Sequence, residues 1–484
     1  MSQKISDNKK DWKKLIMLNV HGQNYLIRTS IVCVLFLINV LYFCITARSA
    51  VSFEMLGSQK NFDQLNPFKE KIVHFDLKGA PPTLKYYKKI FPLLKKMKVD
   101  GILMEYEDMF PYWNELTVLK RTIAYSKTIL KAILELASNN NLEVIPLVQT
   151  FGHMEFVLKH SKYSIYREDI FKHDTICPSD EGSWHLITEM LTQIRIMHPN
   201  AKRIHIGADE VYTIGQDFRC INRRMESLSF TMDHLKLDHI SRVARYARSE
   251  LNFAEVLVWN DMFSDIEIDL LNQYEMGELV TPVIWGYAVN VTKLNYFPIN
   301  MFKRYSQVFP KMMFASAFKG ANGQNESFCY IRRYLANQQS YVELYEKEKQ
   351  DLNGKISGII LTGWQRYNHY SPLCEILPVS IPSLIVDLDI LNCRSITTHN
   401  TVKSIGTVWE PEKMDNDISL EMMFVNCSFP GSKIYDEVLN FHSYITDEKQ
   451  LTVDLEKIRE NIAFLLRPYF YDESINEIIT EQLS

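Results

Sequence analysis

From Lys71 to Leu361 the chain repeats one alternation: a short, almost unbroken apolar run, then a longer stretch with helical periodicity. The short runs are Lys71 to Leu77 (KIVHFDL), Gly101 to Tyr106 (GILMEY), Leu142 to Val148, Arg203 to Gly207, Glu255 to Trp259, Pro282 to Trp285, Lys311 to Ser316 and Lys355 to Leu361. Helical patterns cover 84–98, 116–138, 183–197, 231–251 and 327–348. A strand apolar on both faces is buried on both faces, which is the condition of a parallel sheet covered by helices. Eight such units predict an α/β fold, a (β/α)8 TIM barrel with insertions. A doubly wound sheet is the alternative, but no GxGxxG follows an early strand.

The barrel accounts for part of the 484 residues. Residues 29–47 (TSIVCVLFLINVLYFCITA) carry no charge, and as a helix they would span ~28 Å, about one hydrocarbon core. Six basic residues precede that run (Lys4, Lys9, Lys10, Lys13, Lys14 and Arg28), and the flank after it is poorer in them. This predicts a single-pass type II signal-anchor with the tail 1–28 in the cytosol and the bulk of the chain in the secretory lumen, plausible for the Golgi. A cleaved signal peptide is the rival reading; the long apolar run and the 28 residues before it argue against that. A polar stem, 48–70, leads to the barrel at 71–392, and 393–484 reads as a mainly helical extension whose long tail could serve a homodimer. The net charge of −4 gives no support to a nucleic-acid partner. The eight cysteines show no CxxC spacing, and His153, His160 and His173 lack the i, i+4 spacing of a helical metal site, so no metal is expected. Sequons at Asn290, Asn325 and Asn426 are compatible with a lumenal glycoprotein without arguing for one.

In a TIM barrel the C-terminal ends of the strands face the usual active-site mouth. Here those ends carry Asp76 and Lys78, then Glu105, Glu107 and Asp108, then Gln149 and His153, then Asp209 and Glu210. They continue with Trp259 and Asp261, Trp285 and Tyr287, and Trp364 and Tyr367. Acids among aromatic rings suit a sugar: rings stack on the apolar face of a pyranose while carboxylates hold its hydroxyls. The adjacency of Asp209 and Glu210 is awkward for ordinary glycoside hydrolysis, whose carboxylate pairs stand roughly 5–5.5 or 6.5–9.5 Å apart. Neighbours on an extended strand also point in divergent directions. The pair makes sense if one acid acts on the glycosidic bond and the other on a substrate group that is itself the nucleophile.

His205-Ile-Gly-Ala-Asp-Glu-Val resembles the H-x-G-x-D-E motif of glycoside hydrolase family 20, the β-N-acetylhexosaminidases, and is closer still to its hexosaminidase D branch. HFDLKGAPP (74–82), LMEYEDMFPY (103–112), LVQTFGHMEFVLKH (147–160), CPS (177–179), VWNDMF (258–263), SAFKGA (316–321) and LTGWQRYNHY (361–370) extend the resemblance in order. It implies hydrolysis of terminal GlcNAc or GalNAc from β-linked glycans or glycoproteins, with no cofactor and through an oxazolinium intermediate. Glu210 would be the general acid and then the base. Asp209 would orient the 2-acetamido group. Burial and the neighbouring negative charge are expected to keep Glu210 protonated. Trp259, Trp285 and Trp364 would line the acetamide pocket. His153 would support the acid, with Glu107 or Asp108 as its acidic partner.

The chain also departs from the broader family. Lys78 and Gly79 stand where a sugar-gripping arginine is expected, Ser316, Ala317 and Phe318 replace a Tyr-x-Asp, and Trp364, Gln365 and Arg366 replace a Trp-x-Glu. Lys78, Asp261, Tyr287 and Tyr367 are the candidates to replace those contacts, and the choice between glucose and galactose configuration stays open. Two other readings stand beside the hydrolase: a non-catalytic glycan-binding barrel, and a different glycosidase with Glu105 or Glu107 as nucleophile. Hexosaminidase D relatives are expected in cytosol and nucleus, which is the alternative to the lumenal location.

Overall fold

In a computed structural model of the chain the described residues are 68–227, 229–393, 420–446 and 455–483. The candidate membrane segment 29–47, the tail before it and almost all of the stem lie outside them. Among the described residues no helix is long and apolar enough to cross a membrane.

Eight parallel strands close a barrel in sequence order: β1 (Glu70–Asp76), β2 (Gly101–Glu105), β3 (Glu143–Leu147), β4 (Arg203–His205), β5 (Glu255–Trp259), β6 (Thr281–Trp285), β7 (Met312–Lys319) and β8 (Ile356–Gly363). β8 returns to β1 through the Ile72↔Ile360 register, so no sheet edge is left open. Among the described residues, the helices of eight or more residues are α1 (Leu84–Lys96), α2 (Lys127–Asn139), α3 (Glu181–Met197), α4 (Phe218–Met225), α5 (Met232–Ser249), α6 (Met301–Val308), α7 (Ile331–Lys347), α8 (Leu377–Cys393), α9 (Ser432–Thr446) and α10 (Leu455–Leu466).

Two local readings need correction. Residues 116–138 are not one helix: a 3-10 turn spans Asn114–Leu119, and α2 begins only at Lys127, where Ser126 Oγ accepts the Ile129 N–H at 3.1 Å. A serine whose hydroxyl satisfies a free N–H of the first turn starts a helix better than it continues one. The short helices α4 and α6 were not visible to periodicity, because eight residues hold barely two turns of pattern.

Strand parity sorts the side chains into two sets. Ile72, Leu103, Ile145, Leu147, Leu257, Trp259, Val283, Met313, Ala315 and Ile360 pack together inside the barrel. Their chain neighbours, such as Val73, Ile102, Val256 and Ile284, belong to the larger core beneath the helices. The N-terminal end of the barrel is closed by Arg203, whose guanidinium bonds Glu143 Oε1 at 3.1 Å and Glu70 Oε2 at 2.9 Å. At the opposite end the inward parity continues into polar residues, which is where a site can open.

The described C-terminal segment packs on that mouth. Thr83 N–H donates to Tyr469 O at 2.8 Å, Ser474 Oγ to Gly79 O at 2.7 Å and Gln482 Nε2 to Leu373 O at 3.0 Å. Glu473 pairs with Arg121 and Glu477 with Arg366. This end of the chain therefore braces the first and eighth loops of the barrel.

Interior packing sets the stability of such a closed ring. Ile360→Ala is expected to cost about 2–5 kcal/mol in urea unfolding, the usual range for emptying a well-packed core site. A loss below about 1 kcal/mol would show that the interior collapses around the gap.

Candidate active site

The mouth holds a cavity of about 210 Å³ lined by Lys78, Glu105, Gln149, His153, Asp209, Glu210, Trp259, Trp285, Tyr287, Gly320, Ala321, Trp364, Arg366 and Tyr367. β4 ends at His205, and the chain then leaves extended geometry: Gly207, Ala208 and Glu210 have φ of 65°, 67° and 51°. Left-handed backbone is costly for Ala and Glu, and it gathers at functional sites. Here it defeats strand alternation, so the neighbours Asp209 and Glu210 both line the same cavity. The β3 loop lies tight against this turn. A Cβ on Gly152 would stand 2.0 Å from the carbonyl oxygen of Asp209, so only glycine fits there.

His153, itself left-handed at φ 53°, places Nε2 3.1 Å from Glu210 Oε2 and 3.4 Å from Asp209 Oδ2. Burial alone would depress its imidazolium, but Asp209 and Glu210 outweigh burial and hold the pKa well above the usual histidine value. Tyr212, with its ring exposed, donates its hydroxyl to Glu210 Oε1 at 2.6 Å. The His153 hydrogen bond, aided by Tyr212 against the effect of burial, lowers the Glu210 pKa. This corrects the expectation of a Glu210 kept protonated by burial and a negative neighbour: in the free site the proton resides on His153.

Asp209 is buried, and its Oδ1 has no hydrogen-bond partner among the described residues. Gln149 Oε1 and Trp259 Nε1, on the same cavity wall, are likewise unpartnered. Buried polar atoms are normally paired, so unpaired acceptors and a donor facing one cavity mark a place built for a polar guest. Trp259 and Trp364 stand 6.0 Å apart between ring centroids, and Trp285 stacks on Tyr287 at 5.2 Å, which gives the cavity aromatic walls.

Under the cavity, Lys78 Nζ donates to Glu105 Oε1 at 3.0 Å and to Glu107 Oε1 at 3.3 Å, and His74 Nε2 lies 2.9 Å from Glu105 Oε2. Burial opposes charge on Lys78, but Asp76, Glu105 and Glu107 hold its pKa well above the ordinary value. Burial likewise opposes charge on Glu105, but Lys78 and His74 keep it well below the carboxylate range. Lys78 is thus a fixed cation in the cavity wall.

Ten of the twelve candidate residues are accounted for as follows. Asp209, Glu210, His153, Trp259, Trp285, Trp364, Tyr287, Tyr367 and Lys78 all line the cavity. Asp261 stands behind it, accepting the Glu210 N–H at 2.8 Å and the Trp285 Nε1–H at 3.0 Å, so it positions two cavity residues. Burial and the Asp209 charge raise its carboxyl to about 7. The remaining two, Glu107 and Asp108, are not cavity residues, and they pair with groups other than His153. Glu107 bonds His369 Nε2 at 2.5 Å and Asp108 bonds Lys159 Nζ at 3.0 Å. Both sit buried in the helical turn Glu107–Met109, entered through Glu107 at φ 43°, where Glu107 also accepts from Lys78 at 3.3 Å. His205 is buried, with Nδ1 accepting the Gly207 N–H at 3.0 Å, and it supports the turn. Sequence reasoning placed Arg366 and Gln149 at strand ends without giving them a part in the site, and it passed over Tyr212. The first two occupy positions on strand-end parity, and Tyr212 lies two residues beyond the acid.

Residues 97–292 match the Glycosyl hydrolase family 20 catalytic domain. The chain is 41% identical over 326 residues to hexosaminidase D of Homo sapiens, an alignment covering 67% of this chain and 66% of that protein, just under two thirds of its length. It is 43% identical over 321 residues to hexosaminidase D of Bos taurus, covering 66% of this chain and 91% of that one. The crystal structure of a β-N-acetylhexosaminidase from Bacteroides fragilis shares the fold with a TM-score of 0.51 at 14% identity, over 70% of this chain and 69% of that one.

The raised His153 pKa links stability to pH. The unfolded histidine titrates near about 6.5 and the unfolded glutamate near about 4.3, so the His153 contribution is full below the former and is lost as pH rises through the folded His153 value. The lowered Glu210 contribution is present above the latter and lost as pH falls through the folded Glu210 value. His153→Gln should therefore be destabilised most between about pH 4.5 and 6.5, with the gap to wild type shrinking in alkali. Urea unfolding of both proteins at about pH 5.5 and 9.5 measures this, and a gap unchanged by pH would contradict the assigned charge.

Proposed function

The chain belongs to glycoside hydrolase family 20, with hexosaminidase D among its relatives, and from that membership we propose that its barrel mouth releases terminal β-linked N-acetylhexosamine from glycoconjugates with the substrate's own acetamide as nucleophile. The observation that carries this reading is the pair Asp209 and Glu210 turned into one cavity, with Asp209 Oδ1 unpartnered and Glu210 shared with His153. Asp209 accepts the amide N–H of the bound sugar, which aligns and polarises the acetamide. Its carbonyl oxygen attacks the anomeric carbon and the glycosidic oxygen departs. Glu210 protonates that oxygen, then removes a proton from the water that opens the oxazolinium ring.

His153 supplies the missing proton. In the free site Glu210 is ionised because His153 and Tyr212 donate to it. When the leaving-group oxygen replaces Tyr212 as neighbour and the cavity dries, moving the His153 proton to Glu210 removes two opposed charges from a low-dielectric space. The pair holds one transferable proton, and the species His153-neutral, Glu210-protonated does the chemistry. Trp259, Trp285 and Trp364 enclose the pyranose and its acetamide. Lys78 and Arg366 supply fixed cationic donors to the sugar hydroxyls, with Gln149, Tyr287 and Tyr367 beside them.

A nucleophilic role for Glu105 or Glu107 fits less well. Both Glu105 oxygens are engaged, by Lys78 and His74, and Glu107 is bound to Lys78 and His369. A binding-only barrel has no need of an acid, an amide-orienting carboxylate and a proton reservoir together.

On aryl β-GlcNAc and β-GalNAc, Glu210→Gln should lower kcat/KM by ~10²–10⁴-fold for poor leaving groups and by less for activated ones. Equal losses would count against the acid role, and good turnover of aryl glucosides would count against acetamide participation. In His153→Phe the basic limb of kcat/KM should move to lower pH by about one unit or more, since Glu210 alone must then hold the proton.

The lumenal location rests on the uncharged run 29–47 and the basic residues before it. In intact microsomes the barrel should resist added protease; a digested barrel would place it in the cytosol.

A further inference from the structure

A second cluster of reactive groups lies outside the sugar cavity. Cys177, in the β3–α3 connection, and Cys220, the third residue of α4, are both fully buried, and their sulfurs stand 3.7 Å apart. Glu168 points one carboxylate oxygen at Cys220 Sγ, 3.2 Å away. Its other oxygen accepts the N–H groups of Gly215, Gln216 and Asp217 at 2.5, 2.9 and 3.3 Å. Ser179 Oγ lies 3.0 Å from Cys220 Sγ.

The ligand atoms of Glu168, Cys177 and Cys220 lie within 4.8 Å of one another, a separation a metal ion could bridge. Closed structural zinc sites, however, use four nitrogen or sulfur donors. This cluster offers two sulfurs, one carboxylate oxygen whose partner is committed to backbone, and a serine hydroxyl. The arrangement suits a covalent link better: two buried sulfurs on different segments of the chain lie 3.7 Å apart, in van der Waals contact.

We propose that Cys177 and Cys220 are the site of a disulfide that ties the loop carrying His153 to the loop carrying Glu210. Phe151 O accepts the Ile176 N–H at 3.0 Å and Asp174 O accepts the Met154 N–H at 2.9 Å, so the Cys177 segment is bonded to both sides of His153. Cys220 follows Glu210 along the same connection. A bond between the sulfurs closes a covalent bracket around the His153–Glu210 contact of 3.1 Å.

The oxidant is a small-molecule disulfide such as glutathione disulfide, or a protein disulfide of the same chemistry. Cys220 gives up its proton to solvent, and the thiolate attacks the oxidant, releasing one thiolate and leaving a mixed disulfide. Cys177, deprotonated in turn, attacks the Cys220 sulfur and releases the second thiolate. The released thiolates take up the two protons. Two protein thiols become one disulfide, and the oxidant is reduced by two electrons to two thiols. Because both sulfurs are buried in the folded protein, the exchange takes place as the chain folds, before α4 closes over Cys177.

The test is independent of substrate. The full chain is refolded in a glutathione disulfide–glutathione buffer, unfolded in alkylating agent and mapped by mass spectrometry without reduction. The expected result is a Cys177–Cys220 linked peptide two hydrogen masses lighter than the sum of its parts. With it comes a thermal midpoint several degrees above that of the reduced protein and a longer half-life of activity on heating. Cys177→Ser/Cys220→Ser should show neither the link nor a midpoint that responds to reductant, and if that variant fails to fold, the wild-type map still decides. Both cysteines alkylated after oxidative refolding, either one linked to Cys329 or Cys374, or one equivalent of zinc retained on two free thiolates would overturn the proposal. So would a link that leaves the thermal midpoint unchanged.

Discussion

Two adjacent carboxylates in a half-dry cavity repel each other, and everything near the mouth follows from how that repulsion is met. Asp209 and Glu210 are turned the same way by left-handed backbone at Ala208 and Glu210, a conformation costing about 1–3 kcal/mol at each residue. His153 offsets the repulsion by presenting one ring nitrogen to both acids. Asp261 anchors the Glu210 backbone from behind, and the absent side chain of Gly152 lets the β3 loop come close enough for His153 to reach. Strain, ion pairing and close approach are thus parts of one device, and removing any one of them separates the acids or leaves a charge unbalanced.

The barrel supplies the frame in which this is possible. Parity along each strand sends every second side chain inward, so the apolar stack from Ile72 to Ile360 ends in a layer of polar and aromatic groups at one height. Lys78, Glu105 and His74 form a buried charge-balanced floor beneath that layer, stiff because each ionised group is held by an opposite charge or a hydrogen bond. Trp285 is fixed through Asp261, the same carboxylate that holds the Glu210 backbone, so the aromatic wall and the acid share one anchor.

Elements remote in sequence complete the rim. Glu477 neutralises Arg366, and Ser474 caps the carbonyl of Gly79 beside Lys78. The described C-terminal segment therefore touches the two loops whose residues depart from the broader family pattern. Its contacts hold the Arg366 guanidinium and the Gly79 carbonyl next to Lys78 in the chain.

The repeated apolar runs, the polar strand ends and the ordered motif around HIGADEV were enough to specify a closed parallel barrel, the end at which its cavity opens and the two acids that line it. Hydrophobic period and strand parity are local properties, and a closed sheet converts them directly into inside, outside, top and bottom. Other features depended on side chains brought together across loops. The partner of His153 is the acid pair rather than Glu107 or Asp108, because the latter two are engaged by His369 and Lys159 across the loops. The ionised state of Glu210 reverses what burial alone suggests, because two hydrogen-bond donors 57 and two residues away in the chain converge on its carboxylate. Charge state and contact across the mouth are set by distances in space, and no spacing along one chain encodes them.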